Sequence, residues 1–260
     1  MQHQVLIGVS SSKRARRTRV LLWNCLFLLA GCSETVPASE TQLNPPQTAL
    51  AQTNSSMEGP DNAHFVTKLG LIQGHLWVAS QLVEADRFEL GAKHAKHPAQ
   101  EVYQELVPFF YAVGSPGFAE ELEVMSGQFT SSSKGDFRQS YQQVMNAIDA
   151  IVARLELADA DRLKVAYALI EQALIEYRAG VSDGEIADLQ EYQDARGFIE
   201  IAARFVAKIQ NDQHRAALLG NIQEAKKLWP NLDPRQPING DEIVLVAVLA
   251  ELQSLQGGAP

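Results

Sequence analysis

The sequence predicts an all-α protein, an antiparallel helical bundle of seven or eight helices, and two observations carry this prediction. Beyond Asn62, apolar residues recur every three or four positions to the end of the chain, as they do on the buried face of a helix. Glycine and proline residues interrupt this spacing at short intervals, as expected for loops between antiparallel helices. We find no segment in which apolar and polar residues alternate as in a strand, and no internal repeat.

The part of the chain that precedes this helical region divides into two. Residues 13–19 are mostly basic and residues 20–30 are apolar, which is the order of an export signal and too short a run to span a bilayer. Residues 32–62 are rich in Ser, Thr, Pro, Gln, Asn and Ala, and they cannot bury enough apolar surface to offset the entropy of ordering them. The predicted parts are therefore a signal peptide over 1–31, a lipidated cysteine and disordered tether over 32–62, and an all-helical domain over 63–260.

The apolar block ends in Leu29, Ala30, Gly31 and Cys32, which resemble the lipobox of bacterial lipoproteins. The resemblance implies that Cys32 is diacylated on its sulfur, is cleaved free of Gly31 and is acylated on its new amino group. Ser33, rather than Asp, follows the cysteine, which by analogy with such lipoproteins favours the outer membrane. We therefore expect a lipoprotein anchored in the membrane through Cys32 and facing the periplasm.

Two other interpretations of the leader are weaker. The apolar block could belong to a buried or membrane-spanning helix with a chance cysteine, but a spanning helix needs ~20 apolar residues and this run has about half of that. Arg16 and Arg17 could mark twin-arginine export, but residues 18–20 lack the Phe-Leu pattern that usually follows. The lipoprotein signal remains the main prediction.

Charge and cysteine content exclude several classes of partner and chemistry. The formal net charge is −9, and removal of residues 1–31 takes away five Lys or Arg and no acidic residue, which gives −14. An acidic protein is repelled by phosphate backbones, so we expect no nucleic-acid partner. Of the two cysteines, Cys25 lies in the leader and Cys32 is the lipidation site, so the predicted mature domain has no disulfide and no thiolate ligand.

Local sequence predicts where several helices begin and end. Pro98 predicts the end of a second helix and the start of a third, and Ser115 with Pro116 predicts the start of a fourth. Residues 182–185, Ser-Asp-Gly-Glu, have the spacing of a capping box and predict the start of a long helix. The clearest helix is the first, on which one apolar stripe is formed by Phe65, Leu69, Ile72, Leu76, Ala79 and Val83.

A histidine cluster, His94 and His97 with Glu101 after them, is the first candidate for chemistry. On one continuous helix these three positions would share a face, and imidazole with carboxylate suits iron, zinc or copper. Because Pro98 predicts a helix boundary, we expect the ligands to meet at a corner between two helices, with a further ligand from elsewhere. In the simpler interpretation, His94 compensates the negative end of its helix and His97 is a solvated cap.

The first candidate for the further ligand is His75, on the first helix beside Gly70 and Gly74. Glycine inside a helix costs about 1 kcal/mol relative to alanine, so it usually has a structural reason. We interpret the two glycines as the point where another helix approaches closely. The alternative is that they leave room for a ligand beside His75.

The second candidate is Asp194, in a stretch where Gln193 and Arg196 interrupt an apolar stripe. Buried polar groups need partners, and we expect Asp194 or Glu191 to pair with Arg196 locally. The alternative is that Asp194 faces His75 or His97 across the bundle core, as in metal sites of helical bundles. The predicted metal ligands are His75, His94, His97, Glu101 and Asp194.

The exported all-helical chain and its segment from His94 to Tyr103 resemble the imelysin-like periplasmic proteins associated with iron uptake. The resemblance implies two packed helical bundles and binding linked to a metal or a siderophore. The Gly-x-His-x-x-Glu pattern of that family does not occur in this sequence, so no residue is carried over from it.

Two functions follow from these observations. We find no catalytic or phosphate-binding motif and expect a binding protein rather than an enzyme. The main prediction is a lipid-anchored envelope protein whose helical domain binds a divalent metal ion, iron, zinc or copper, and it requires the histidines to lie close together. The alternative is a non-catalytic adaptor or structural lipoprotein that binds an envelope protein partner, with dispersed histidines and an exposed apolar patch.

Overall fold

The computed structural model describes residues 61–129, 134–236, 238 and 240–257, and it gives the side chains of all of these except residues 97–101. These residues belong to one unit of the chain, Ser55–Pro260. The leader, Cys32 and nearly all of the tether lie outside the described residues, so the domain boundaries drawn from them stay predictions. No helix among the described residues has both the length and the apolar character that crossing a membrane requires.

The described residues form nine α-helices, one 3-10 turn and one short hairpin, which confirms the predicted all-α class and raises the expected number of helices. The hairpin pairs β1 (Val181–Ser182) with β2 (Glu185–Ile186) in antiparallel fashion. The helices are α1 (Asn62–Glu84), α2 (Phe88–Glu101), α3 (Tyr103–Ala112), α4 (Ala119–Gly127), α5 (Lys134–Ala153), α6 (Asp159–Gly180), α7 (Leu189–Val206), α8 (Asp212–Ala225) and α9 (Ile243–Gly257), with a 3-10 turn over Lys226–Leu228.

Helix α1 lies at the centre of the bundle and packs against α2, α5, α6 and α7. All six residues of its predicted stripe are buried, from Phe65 to Val83. A second face, which includes Gly70, Gly74 and His75, is buried as well, so that 15 of the 23 residues of α1 are buried. The sequence predicted one buried stripe, whereas neighbours on several sides cover most of the helix.

The contact between α1 and α7 depends on two glycines, Gly74 and Gly197. A Cβ atom on Gly197 would lie 2.5 Å from the carbonyl oxygen of Gly74 and 2.8 Å from Cγ2 of Val78. A Cβ atom on Gly74 would lie 2.5 Å from the ring of Phe198. The close helix approach inferred from the interior glycines of α1 is therefore confirmed, and it occurs directly beside His75.

Two predicted helix boundaries were wrong. Helix α2 continues through Pro98 to Glu101, and the break before α3 falls at Val102, because a proline inside a helix removes one backbone hydrogen bond without necessarily ending the helix. Helix α4 begins at Ala119, and Ser115 does not cap it. The hydroxyl of Ser115 instead accepts a hydrogen bond from the N–H of Gly117 within the loop before α4.

The predicted capping box at residues 182–185 is also wrong, because these residues form the hairpin. Asp183 and Gly184 both have positive φ, 54° and 77°, as the two-residue turns of tight hairpins require. Helix α7 begins after the hairpin, at Leu189, where the side chain of Asp188 accepts a hydrogen bond from the N–H of Gln190. The two strands have two residues each, too short to show the apolar–polar alternation that the sequence lacks.

Replacing Gly197 by alanine should destabilise the fold, because the new methyl group meets the backbone of α1. We expect Gly197→Ala to lower the free energy of unfolding by about 1–3 kcal/mol, the usual cost of overpacking a core, measured by urea denaturation. The control is Gly220→Ala in α8, where a Cβ atom meets nothing within 4 Å. It should be neutral or stabilising by up to about 1 kcal/mol, and an equal loss in both variants would contradict the packing argument.

Candidate metal centre

Two glycine contacts bring three helices together around one point. The α1–α7 contact at Gly74 and Gly197 sets His75 against α7. Helix α2 approaches α1 at Gly91, where a Cβ atom would lie 3.0 Å from the carbonyl oxygen of Ala79. His94 follows Gly91 by one helical turn and is thereby directed into the core.

The side chains of His75, His94 and Asp194 meet at this point. Nδ1 of His75 lies 2.6 Å from Oδ1 of Asp194, and Nδ1 of His94 lies 2.8 Å from the same oxygen. The exposed fractions of the three residues are 8%, 1% and 2%. Their potential ligand atoms all lie within 4.8 Å of one another, and this is the one such group of three among the part of the chain that the structure describes.

Gln193 is the second hydrogen-bond partner of His94, on the side of the ring away from Asp194. Nε2 of His94 lies 2.7 Å from Oε1 of Gln193, and the amide nitrogen of Gln193 donates to the carbonyl oxygen of Leu232 at 2.6 Å. The ring of Phe198 stands edge-on to that of His75, with centroids 5.1 Å apart. The cluster is thus bordered by an amide group at His94 and by an aromatic ring at His75.

Burial alone would raise the pKa of Asp194, since it penalises the carboxylate. The charge of the His75 imidazole and the hydrogen bonds from His75 and His94 outweigh burial, and the pKa of Asp194 is lowered well below its usual range. Asp194 is therefore an anion at neutral pH. A buried anion between two imidazoles is a suitable environment for a cation.

The donor set is that of a transition-metal site. Two imidazole nitrogens and one carboxylate oxygen suit zinc, iron and copper. The two Asp–His separations are hydrogen-bond distances, whereas ligand atoms around a tetrahedral zinc ion, bound at 2.0–2.1 Å, are about 3.3 Å apart. A metal ion would thus require the side chains to move apart by roughly half an ångström, a change within the reach of small rotations about χ1 and χ2.

The structure assembles this cluster from some of the predicted ligands. His75 and Asp194, each expected as the ligand from elsewhere, both lie at His94. The side chains of His97 and Glu101 lie outside the described residues, so their roles stay predictions. His94 is buried in the interior of α2, which contradicts the interpretation of it as compensating a helix end.

The expected local pair of Asp194 or Glu191 with Arg196 was wrong. Arg196 lies with its guanidinium 3.0 Å from the carboxylate of Glu200, one turn further along α7, and 4.8 Å from the ring centroid of Trp77. Positions i and i+4 of a helix face each other, whereas positions 194 and 196 lie on different faces, and Asp194 contacts His75 and His94 instead. Gln193 as the partner of His94 was not predicted, although its polar side chain on an apolar stripe was the signal that could have found it.

Two further carboxyl groups, those of Glu176 and Glu191, lie near Asp194. Glu176 of α6, half-buried, hydrogen-bonds to Glu191 of α7 and accepts a hydrogen bond from Gln172. Burial, the contact with Glu191 and the negative charge of Asp194 raise the pKa of Glu176 to about 8. The carboxyl group of Glu176 therefore carries a proton at neutral pH.

The fold and the cluster define the molecule as an all-α bundle protein with a buried His–His–Asp group, a set of side chains suited to metal binding in bundle cores. Residues 156–257 match the family model of the iron permease-associated 4-helix bundle domain. The match covers less than half of the chain and contains α6, α7, α8 and α9. It includes Asp194 but neither histidine of the cluster. The comparisons with curated proteins and with solved structures found no match.

Replacing Glu176 should change the pH dependence of stability. Between about pH 4.5 and 8 the folded chain holds a proton on Glu176 that the unfolded chain has released, so this group makes stability fall as the pH rises through that window. Gln is neutral at every pH, and we expect Glu176→Gln to raise the free energy of unfolding by about 1–2 kcal/mol at pH 9 and little at pH 5, after allowance for solvent screening. Thermal melts at both values measure this.

The control for this measurement is Glu171→Gln, on the same helix and exposed. It should shift the melting temperature equally at pH 5 and pH 9. A Glu176→Gln variant that behaves like this control would show that Glu176 titrates in its ordinary range.

Proposed function

We propose that this protein binds one transition-metal ion, in the cell ferrous iron, through His75, His94 and Asp194, and that it is a binding protein rather than an enzyme. The observation that carries the proposal is the convergence of three ligand-type side chains from three different helices on one buried point. The metal hypothesis required the histidines to lie close together, and the two that contact Asp194 are separated by 19 positions in the sequence.

The energetics of the cluster support a ligand more than a purely structural role. Burying a carboxylate and two imidazoles costs several kcal/mol, and apolar side chains of the same volume would stabilise a core at least as well. The free energy spent on burying these polar groups is recovered when they bind a ligand, because the binding free energy of the ligand stabilises the folded chain.

Iron as the ion is supported by the match of residues 156–257 to the iron permease-associated domain. The donor set itself does not select iron, because affinity for such ligands rises from iron(II) to copper(II) and falls again at zinc. Three protein ligands leave coordination positions for water or for a ligand from a partner, as in metal sites that exchange ligands. This suits a protein that takes up and hands over an ion.

We further propose that the domain is held at the periplasmic face of a membrane, the outer membrane where there is one, by lipid on Cys32. The support is the lipobox-like run that ends at Cys32 and the polar segment between it and α1. The imelysin-like resemblance and an envelope protein partner stay predictions.

Metal titration of the purified full-length chain tests the proposed function. We expect one equivalent of Zn²⁺, Cu²⁺ or, under anaerobic conditions, Fe²⁺ by isothermal titration calorimetry, with Fe²⁺ the weakest of the three. His94→Ala and Asp194→Asn should each weaken binding by more than the ~10–100-fold that loss of an outer hydrogen-bond partner costs. Circular dichroism spectra of the variants should match that of the wild type, which would show that they are folded.

The matched control is His64→Ala, an exposed histidine at the start of α1 that is not part of the cluster. This variant should bind the ions as the wild type does. Absence of binding to the wild type, or equal losses in His64→Ala and His94→Ala, would refute a metal site at this position.

The lipid anchor has its own test. In bacterial cells grown with labelled palmitate, we expect the chain to incorporate the label and to fractionate with membranes, and Cys32→Ser to abolish both. Cys25→Ser removes the other cysteine of the chain and should leave both unchanged. Label that persists in Cys32→Ser would exclude lipidation at this residue.

A further inference from the structure

The structure determines the hydrogen-bonding direction of Gln193, the neighbour of His94 on the Nε2 side of its ring. A backbone carbonyl can only accept, so the side-chain nitrogen of Gln193 must face the oxygen of Leu232, 2.6 Å away. The amide oxygen of Gln193 then faces Nε2 of His94, at 2.7 Å. An amide oxygen only accepts, so His94 must donate from Nε2.

This assignment determines which nitrogen of His94 can bind a metal. With Nε2 protonated, the neutral ring has its lone pair on Nδ1, and Nδ1 is the atom that faces Asp194. In the hydrogen-bonded arrangement the carboxylate also requires a proton on Nδ1, which the metal ion would replace. The other neutral tautomer carries its proton on Nδ1. That proton would lie between the ring and Asp194, at the position of the metal ion.

The carbonyl of Leu232 is itself held in place by neighbouring contacts. The hydroxyl of Tyr192 donates to the carbonyl oxygen of Asn231 at 2.9 Å, and the indole N–H of Trp229 donates to the carbonyl oxygen of Tyr192 at 2.8 Å. On the other side of Leu232, Asp233 forms an ion pair at 2.8 Å with Arg87, which directly precedes α2. The segment 229–233 therefore spans from the helix of Asp194 to the helix of His94.

We propose that Gln193, oriented by the carbonyl of Leu232, is a positioning residue that keeps the proton of His94 on Nε2 and leaves Nδ1 for the metal ion. This inference rests on the proposed function, because its consequence is a change in the affinity for the metal ion. The orientation itself follows from hydrogen-bond chemistry. Outer partners that fix a ligating imidazole in this way typically change metal affinity by ~10–100-fold.

The test uses Gln193→Met, which keeps an unbranched side chain of similar length and removes the acceptor. In this variant a proton on Nε2 would be buried without a partner, so the neutral ring should carry its proton on Nδ1. We expect metal binding to weaken ~10–100-fold by calorimetry. Nuclear magnetic resonance of the full chain labelled with ¹⁵N-histidine should show Nε2 of His94 protonated in the wild type and unprotonated in Gln193→Met, with the signals assigned by His94→Ala.

Two further variants separate positioning from general damage to the core. Gln193→Glu restores an acceptor for Nε2 of His94, although its carboxylate cannot donate to the carbonyl of Leu232, and it should keep Nε2 protonated and bind the ion more tightly than Gln193→Met. Gln73→Met makes the same change at another buried glutamine, which bonds to Asp149, 3.0 Å away on α5, and should alter neither quantity.

The outcomes distinguish this inference from the proposed function. A wild-type chain that binds no metal would overturn the proposed function, whereas an unprotonated Nε2 on its His94 would overturn only the positioning role of Gln193. Equal affinity in the wild type and in Gln193→Met would also overturn that role. Loss of affinity in Gln193→Met with recovery in Gln193→Glu supports both.

Discussion

The architecture around the cluster depends on the backbone contact between α1 and α7 at Gly74 and Gly197. With no side chain on either glycine, the two helices approach until the Cβ position of Gly197 is 2.5 Å from a carbonyl oxygen of α1. His75 follows Gly74 directly, and Asp194 precedes Gly197 by three residues. Any larger residue at the contact would separate the two helices whose closeness places His75 and Asp194 at a hydrogen-bonding distance of 2.6 Å.

His94, the third member of the cluster, is also positioned by a close helix contact at a glycine. Helix α2 meets α1 at Gly91, and His94 projects inward one turn later because α2 continues without a break beyond it. Once the three groups are buried, each depends on the others. The carboxylate of Asp194 is tolerated in the core only because two imidazoles donate to it, and the His94 ring is satisfied on its other side by Gln193.

The relation between the matched domain and the cluster follows from this arrangement. The segment that matches the iron permease-associated domain supplies Asp194, Gln193 and Leu232, while α1 and α2, which lie outside it, supply both histidines. The cluster is therefore a property of the whole bundle and cannot be formed by the matched helices alone. For this reason the match to the family model does not locate metal ligands in this chain.

The sequence by itself determined the all-α class, the buried stripe of α1 and the closeness of a helix to Gly74, because apolar periodicity and interior glycines are local signals of burial. Its pattern also indicated His75, His94 and Asp194 as candidate ligands. However, it predicted a local pair of Asp194 with Arg196 and a helix start at the Asp183-Gly184 turn, and both predictions were wrong. Only the tertiary structure decided that Asp194 faces the histidines, since the side of α7 that meets α1 is fixed by packing between residues more than a hundred positions apart. Spacing along one helix reports which residues share a face, and it does not report which other helix that face will meet.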